Sequence, residues 1–442
     1  MARSPDRSRS EAAGWRSRLA AAELVWAATA KGSDLETAMA ANGAFRRLEG
    51  ADRGFARAMA SAALRGMGRI DWALGGMVQR PLTDIEAPVL ALLRVGAAQL
   101  WLLNVAEHAA VSATVEAAAK WDAARRGGGL INAVLRRAAR EAEAFVSAPV
   151  EAVWPDWLAA KLKSALGPAR AEALAQLQLE EPSVDLTVRD AADAVDWADR
   201  LGGELLPNGS IRLASAAGLA DLPGYAEGAW WVQDAAASLP AMLLGDIAGR
   251  DVADLCAAPG GKAMQLAARG ARLSAVEISA QRMERLRENV ARTGLQMDLV
   301  QADARSWRPA GPLDAVLLDA PCSALGIVRR HPEGVWRRDP KDLARFPAIQ
   351  QALVAAAADM LKPGGRLVYA VCTPATEEGR DIVDAAVASG VWRRAPIRAG
   401  EIPGFECALT SQGDVLTAPA ATETEAPQTR TDVFYIARLE RN

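Results

Sequence analysis

The pattern that most restricts this chain lies in its second half. From about Ala229 onward, short apolar runs of strand character alternate with amphipathic helical stretches. Such alternation predicts a parallel sheet with helices on both faces. Residues 252–255 read as a buried strand, 262–268 as a helix, 273–278 as a strand and 281–292 as a helix. Residues 299–301, 315–319, 367–371 and 433–439 continue the strand series, and 417–430, with Pro419 and Pro427, reads as a polar loop. The first part of the chain carries a different period. Leu19, Ala22, Val25 and Trp26 fall at helical spacing, as do Val89, Leu92, Leu93, Leu100 and Leu103, then Leu130, Val134 and Leu135. Gly127-Gly128-Gly129 separates one helix from the next.

With 442 residues, two or three domains are expected. Residues 1–14, charged and Ser/Arg-rich, are expected to form a disordered tail. Residues 15–146 predict an all-α domain of five to seven helices. A boundary at Ser147-Ala148-Pro149 opens a small α/β linking domain over 147–228, with helices at 157–166 and 169–179 and strands at 184–188, 211–213 and 229–232. Residues 229–442 form the α/β domain.

Composition excludes several chemistries. The two histidines, His108 and His331, cannot make a three-histidine metal site, and no metal is expected. Four cysteines, Cys256, Cys322, Cys372 and Cys407, are too few and too scattered for a disulfide framework or a zinc ribbon. If these thiols matter they act singly, in a reducing compartment. The net charge is −3, but residues 1–150 hold 20 Lys/Arg against 15 Asp/Glu, a mildly basic balance that hints at a polyanionic partner. The polar N-terminus lacks the apolar core of a secretory signal, and the apolar run 87–103 is broken by Arg94 and Gln99. A soluble, cytoplasmic protein, a monomer without membrane contact, is expected.

The chemistry gathers at the strand ends. Asp254-Leu255-Cys256-Ala257-Ala258-Pro259-Gly260-Gly261-Lys262 leaves a strand and opens a helix. Small residues there let a ligand approach the backbone, and free N–H groups at the helix start favour an anionic group. A glycine turn alone serves topology as readily as binding. Glu277 ends the next strand, about 20 residues on, where a nucleoside cofactor's ribose hydroxyls want an acceptor. Asp303 follows the third strand, placed to accept from an adenine amino group, and Asp319 ends the fourth. One such acid would be a plain helix cap, whereas the set marks a binding crevice. Ala263 follows Gly261-Lys262 where a triphosphatase carries Ser or Thr, so a cofactor with ribose and adenine but no phosphate fits better.

Cys322 leaves the fourth strand in Asp319-Ala320-Pro321-Cys322-Ser323-Ala324-Leu325-Gly326, and Cys372 leaves the fifth in Tyr369-Ala370-Val371-Cys372-Thr373. Adjacent parallel strands would bring both thiols over one crevice. Cys256 and Cys407 are read as small buried hydrophobes. For Cys322 and Cys372 that role competes with nucleophilic catalysis.

With the glycine turn, the two cysteines and Val232-Gln233-Asp234-Ala235-Ala236-Ala237-Ser238, the chain resembles the two-cysteine RNA cytosine-5 methyltransferases. Within them it is most similar to the RsmB/Sun branch, which acts on 16S rRNA. Gly129-Leu130-Ile131-Asn132-Ala133-Val134-Leu135-Arg136-Arg137 resembles the last core helix of that branch's NusB-like domain. Arg329-Arg330-His331-Pro332-Glu333 and Trp336-Arg337-Arg338 resemble it too. The resemblance covers essentially residues 15–440. It implies an all-α NusB-like RNA-binding domain, the small α/β linking domain, and a Rossmann-like α/β methyltransferase domain using S-adenosylmethionine. It implies that Cys256, Ala257, Ala258, Pro259, Gly260, Gly261 and Lys262 hold the methionine end, Glu277 the ribose and Asp303 the adenine. Arg282 and Asp319 are counted with this cofactor set. Cys372 matches the nucleophile that adds to cytosine carbon-6, Cys322 the second cysteine that helps release the product, and Asp319 the proton-supplying partner of the ring. Thr376-Glu377-Glu378-Gly379 stands where the family usually continues into Glu-Asn-Glu, so helix capping there is expected to differ. Asp432-Val433-Phe434-Tyr435 replaces Asp-Gly-Phe-Phe.

Arg329, Arg330, Arg337, Arg338, Lys341 and Arg345 form a basic run, either a solvated face or a phosphate contact, the latter favoured beside an RNA pocket. Trp336 either stacks on a base or packs. Arg136, Arg137 and Arg140 share one side of a helix, with RNA contact and solvation equally open. His331 is expected to fix loop geometry and His108 to be structural. The leading expectation is cytosine-5 methylation of rRNA. The alternatives are the same reaction on tRNA, or an inactive RNA-binding scaffold in ribosome assembly. Position 322, a cysteine where a stacking aromatic would be needed, disfavours an amino-group methyltransferase.

Overall fold

The computed structural model describes residues 6–215, 218–420 and 430–442. The expected tail therefore lies partly outside the described residues, as does most of the 417–430 loop. The chain divides into two compact units. One comprises residues 1–160, 175–180 and 328–338. The other comprises 161–174, 181–327 and 339–442.

The first unit is helical. Its opening helix runs Asp6–Ala30, so residues 6–14 extend the helix rather than forming a tail. Arg, Ser, Glu and Ala propagate a helix once the apolar stripe from Trp15 nucleates it. Ala21, Leu24, Val25 and Ala28 bury against Gly50–Arg65, Ala87–Trp101 and Glu107–Lys120. Arg18 donates to Gln99 Oε1 at 2.9 Å, and Gln99 Nε2 donates to Thr114 Oγ1 at 3.2 Å, satisfying the polar groups inside this core. Gly96 permits helix contact: a Cβ there would meet Leu135 Cδ1 at 2.4 Å. Gly128–Arg140 begins inside the glycine triplet.

The linking segment is not a separate body. Residues 147–160 and 175–180 join the helical unit, where Trp154 is buried and donates to Gln178, whose Nε2 donates to the Arg65 carbonyl at 3.2 Å. The remainder belongs to the second unit. There β1 (Val184–Val188), β2 (Glu204–Leu205), β3 (Ile211–Leu213) and β4 (Trp230–Val232) pair antiparallel in the order β2-β3-β1-β4.

The main sheet contains β5 (Asp251–Leu255), β6 (Arg272–Glu277), β7 (Asp298–Gln301), β8 (Leu313–Asp319), β9 (Leu361–Val371), β10 (Trp392–Arg394), β11 (Val415–Leu416) and β12 (Tyr435–Arg441). Its order is β10-β12-β9-β8-β5-β6-β7, with β11 on β12. Strands β9, β8, β5, β6 and β7 pair in parallel, and the apolar runs of β5 and β8 are buried on both faces. The wholly parallel expectation fails at one edge: β12 runs antiparallel to β9, and β10 and β11 antiparallel to β12. Among the described residues no helix lies between β11 and β12 to return the chain for parallel pairing. The strand order reverses between β5 and β8, which leaves a crevice at their carboxyl ends.

One buried ion pair ties the small sheet to the segment that faces this crevice. Arg212 Nε donates to Asp185 Oδ1 at 2.7 Å and its Nη2 to Oδ2 at 2.9 Å. The Ala235 N–H, opening helix Ala235–Met242, donates to the same carboxylate at 3.0 Å. Burial lowers the Arg212 pKa, but Asp185 outweighs it and the guanidinium ends raised. Removing one partner strands the other charge. Asp185→Ala is expected to cost about 3–5 kcal/mol in urea-induced unfolding, against less than about 1 kcal/mol for the exposed pair Arg57–Glu36.

Candidate active site at the strand ends

The glycine turn folds as a backbone cradle. Cys256 leaves β5 in a left-handed conformation, φ 65°, which costs a non-glycine residue strain. The Ala257 N–H donates to the Val276 carbonyl at 3.0 Å and fixes the turn to β6. Gly260, at φ 112°, precedes helix Gly261–Ala268. Gln233 packs beside Gly261, accepting from Trp231 Nε1 at 2.8 Å and donating to Gln265 Oε1 at 3.1 Å. Val232, Gln233, Asp254, Ala258, Lys262 and Asp319 are among the residues lining a cavity of about 160 Å³ here.

Lys262 reaches across this cavity to Asp319, Nζ to Oδ2 at 2.7 Å. Burial pulls its ammonium pKa down, but Asp319 and Asp254, with Cys372, outweigh that and raise it. Asp254 is 1% exposed, and neither of its carboxylate oxygens has a hydrogen-bond partner. Burial pushes its pKa well above the carboxylate range, with Asp319 and Glu277 adding to the rise and Lys262 opposing it. The motif quoted from the sequence contained Asp254, but nothing in its spacing marked it as orphaned.

At the end of β6, Glu277 accepts from the Ser279 N–H at 2.9 Å and pairs with Arg282 at 3.2 Å. Arg282 also donates to the Ala258 carbonyl, so its guanidinium bridges the turn and Glu277. Asp303 is held by Arg305, Nη2 to Oδ2 at 2.6 Å. That hydrogen bond holds Asp303 below the usual carboxylate range against a weaker effect of burial. A ligand at Asp303 must share it with Arg305, which the sequence reading did not include. Val232 and Ile278 are exposed although apolar and offer surface for a flat ring, another signal the strand pattern left unread.

The two strand-end cysteines meet. Asp319 pairs with Ala370 across β8 and β9, and the Ala320 N–H donates to the Ala370 carbonyl at 2.9 Å. The Cys322 and Cys372 sulfurs stand 3.3 Å apart. The hydrogen bond to Cys322, then burial, then Asp319 raise the Cys372 pKa well above its usual value, and Lys262 opposes them. Cys256 is pushed up to about 12 by burial, then by Glu277 and Asp319, which keeps it an inert thiol. Cys407 is exposed, correcting its expected place in a core. The altered motif after Cys372 leaves helix Arg380–Ala388 with Gly379 at its N-cap and no side-chain cap. Val433, where the family usually has glycine, keeps a negative φ, and its carbonyl lies 2.0 Å from where a Cβ on Gly326 would stand.

The basic run is partly a packing element. Residues 328–338 belong to the helical unit. Arg329 is 2% exposed, which removes it from the surface and from phosphate contact. Arg337, exposed, donates to the Gly32 carbonyl at 2.6 Å, and Glu333, buried, accepts from the Leu35 N–H at 3.4 Å. Trp336 packs against the helical core, as the alternative to base stacking required. Arg330 and Arg338 are half-buried, and His331 stands 3.8 Å from Glu333. Lys341 and Arg345 are exposed. Arg136 donates to Asn132 at 3.1 Å, and Arg137 pairs with Glu141 at 2.9 Å, both exposed. His108 is exposed rather than part of a core.

A family model described as 16S rRNA methyltransferase RsmB/F matches residues 241–440, and a NusB family model matches residues 16–140. Ribosomal RNA small subunit methyltransferase B of Xanthomonas campestris is 36% identical over 393 residues, covering 85% of this chain and 88% of that protein. The chain belongs to the RsmB/F family. The Pseudomonas putida protein of the same name is 35% identical over 394 residues, 84% of this chain and 88% of that one. The crystal structure of PH0851 shares the fold, with a TM-score of 0.75 at 21% identity over 97% of this chain and 99% of that one. No described helix is long and apolar enough to cross a membrane.

In this RsmB/F chain the orphaned Asp254 has a measurable signature. Its folded pKa exceeds the unfolded value of about 3.9, so the unfolded chain ionises first. The stability it contributes is present below that value and is lost as pH rises toward the folded pKa. Asp254→Asn removes the loss. Its thermal melting is expected to fall less with pH above about pH 4 and, near neutrality, to exceed the parent by about 2–4 °C.

Proposed function

We propose that this protein methylates carbon-5 of a cytosine in 16S rRNA, with S-adenosylmethionine as donor, through a transient bond from Cys372 to carbon-6. The observation that carries this is the 3.3 Å approach of the two thiols beside the Lys262–Asp319 pair. The crevice fits the donor. Glu277 and Asp319 crowd around a turn whose backbone is open to a ligand, and the orphaned Asp254 oxygens face the same cavity. Such an acidic excess suits a ligand with cationic ammonium and sulfonium groups. Residues 256–262 would hold its methionine end, Glu277 with Arg282 the ribose side, and Asp303 the adenine. When bound, the donor supplies an electrophilic methyl group.

The chain's own residues do the rest. Cytosine carbon-5 is a weak nucleophile until a thiolate adds to carbon-6 and makes an enamine. In the resting arrangement Cys372 is held as a thiol by Cys322 and by burial. Its activation therefore belongs to the loaded site, where the Lys262 ammonium favours the thiolate. As its sulfur adds, Cys372 gives its thiol proton to the Asp319 carboxylate, and Asp319 passes that proton to the ring at nitrogen-3, where addition places the electrons. Cys322 takes the carbon-5 proton at the end, and Cys372 leaves. The target base must be splayed out of its stack to reach these groups. The exposed Arg136, Arg137, Arg337, Lys341 and Arg345, with half-buried Arg330 and Arg338, are the candidate phosphate contacts.

Labelled donor and 16S rRNA test this. Cys372→Ala is expected to lose about three orders of magnitude in transfer or more and to form no protein–RNA adduct. Cys322→Ala is expected to accumulate that adduct on a denaturing gel. Full activity of Cys372→Ala would refute the mechanism. Mass-spectrometric mapping of 5-methylcytosine with and without the protein separates an rRNA from a tRNA substrate.

A further inference from the structure

Cys322 and Cys372 are held in place by different means. Cys372 follows β9, which pairs with β8 on one side and β12 on the other, and its carbonyl accepts from the Gly326 N–H at 2.9 Å. Cys322 sits in an irregular loop, and side chains grip both of its neighbours. Gln350 Nε2 donates to the Pro321 carbonyl at 2.9 Å. The Ser323 N–H donates to Glu378 Oε2 at 2.8 Å. Gln350 Nε2 also donates to that Glu378 oxygen, at 3.1 Å. Ser323 Oγ closes the arrangement on Thr373 Oγ1 at 3.0 Å.

Glu378 is 2% exposed. It is thus a carboxylate withdrawn from water whose hydrogen bonds go to the cysteine loop and to the glutamine that grips the same loop. Both bonds fall on Oε2, while Oε1 is buried without a hydrogen-bond partner, so burying this carboxylate carries a cost that its contacts with the loop offset. Its backbone is anchored independently. The Tyr369 hydroxyl donates to the Glu378 carbonyl at 2.5 Å, and the Glu378 N–H donates to the Ala375 carbonyl at 3.1 Å. Shortening the side chain therefore removes the tie on the Ser323 N–H and one of the two on Gln350, loosening the Cys322 loop while the turn after Cys372 stays tied.

We propose that Glu378 is a positioning residue that sets where Cys322 stands over the adduct, and so governs release of the methylated base rather than its formation. This rests on the two-cysteine mechanism above. In the release step the Cys322 thiolate takes the proton from carbon-5. The electrons of that C–H bond restore the carbon-5–carbon-6 double bond. The carbon-6–sulfur bond breaks, its pair returning to Cys372 as thiolate. Of the two cysteines, formation of the adduct needs only Cys372, which the sheet holds; release needs Cys322 within reach of the carbon-5 proton.

The test compares Glu378→Ala, Glu378→Gln and Cys322→Ala with the parent enzyme, using labelled donor and 16S rRNA, with thermal melting as the fold control. Glu378→Ala is expected to keep its single-turnover transfer within about twofold and to lose about tenfold in steady-state turnover, as for one misplaced hydrogen bond. The protein–RNA adduct then persists on a denaturing gel. Glu378→Gln retains an oxygen for the Ser323 N–H and is expected to restore release. Equal loss of single-turnover transfer and turnover in a folded Glu378→Ala, with no adduct, would overturn the proposal, as would a Glu378→Gln no better than Glu378→Ala. If Glu378→Ala does not fold, Glu378→Asp, which retracts the acceptor by one methylene, must show the same adduct or the proposal falls. An adduct in Cys322→Ala but not in the Glu378 variants refutes the positioning role alone. No adduct in Cys322→Ala refutes the two-cysteine mechanism itself.

Discussion

The Lys262–Asp319 pair is the constraint around which the crevice is arranged. One buried ammonium, 2.7 Å from one carboxylate, is set among two further acids. Without it, Asp254, Glu277 and Asp319 would converge with no cation inside the cavity, since Arg282 is half-exposed on its other side. The same bond joins the helix that follows β5 to the end of β8, the two strands between which the order reverses. Lys262 thus closes the crevice mechanically, balances it electrically and is the group that opposes the raised pKa of Cys372. A lysine suits this better than an arginine, because a compact ammonium can serve several oxygens in turn.

Environment separates thiols that the sequence lists as equals. Cys256, Cys322 and Cys372 all follow strands of one sheet. Cys256 is strained, buried and faced by Glu277 and Asp319, conditions that hold its proton in place. Cys372 is half-buried, but the charge of Lys262 favours its thiolate and a second sulfur stands at 3.3 Å. Proximity of groups, not burial alone, distinguishes the proposed nucleophile.

Strand periodicity made β5, β6, β8 and β9 legible because their apolar runs are long enough to show; their order was not, because it depends on where each crossover packs. The acids were legible because each sits at a strand end, where an acceptor is useful. Three kinds of feature left no trace. β10 and β11 are three and two residues long, too short for a period. The direction of β12 depends on what precedes it, not on its own apolar residues. Partnership was invisible throughout. Nothing local says that Arg305 holds Asp303, that Arg329 is buried while Arg337 is exposed, or that Asp254 has no donor beside it. Trp154 shows the same limit, since its partner Gln178 belongs to the same unit but is reached only after residues 161–174, which belong to the other.

Residues 328–338 lie between Cys322 and Cys372 in the chain, yet they count as part of the helical unit. A fragment cut at residue 229 would therefore keep every group of the crevice but inherit eleven residues evolved for a different neighbour. Trp336 would face water instead of helices, and the Glu333 carboxylate would lose the Leu35 N–H. Such a fragment exposes apolar surface that the helical unit covers in the whole chain. The two units are separable in the order of their motifs but not by one cut in the chain, because the segment between the two cysteines is counted with the helical one.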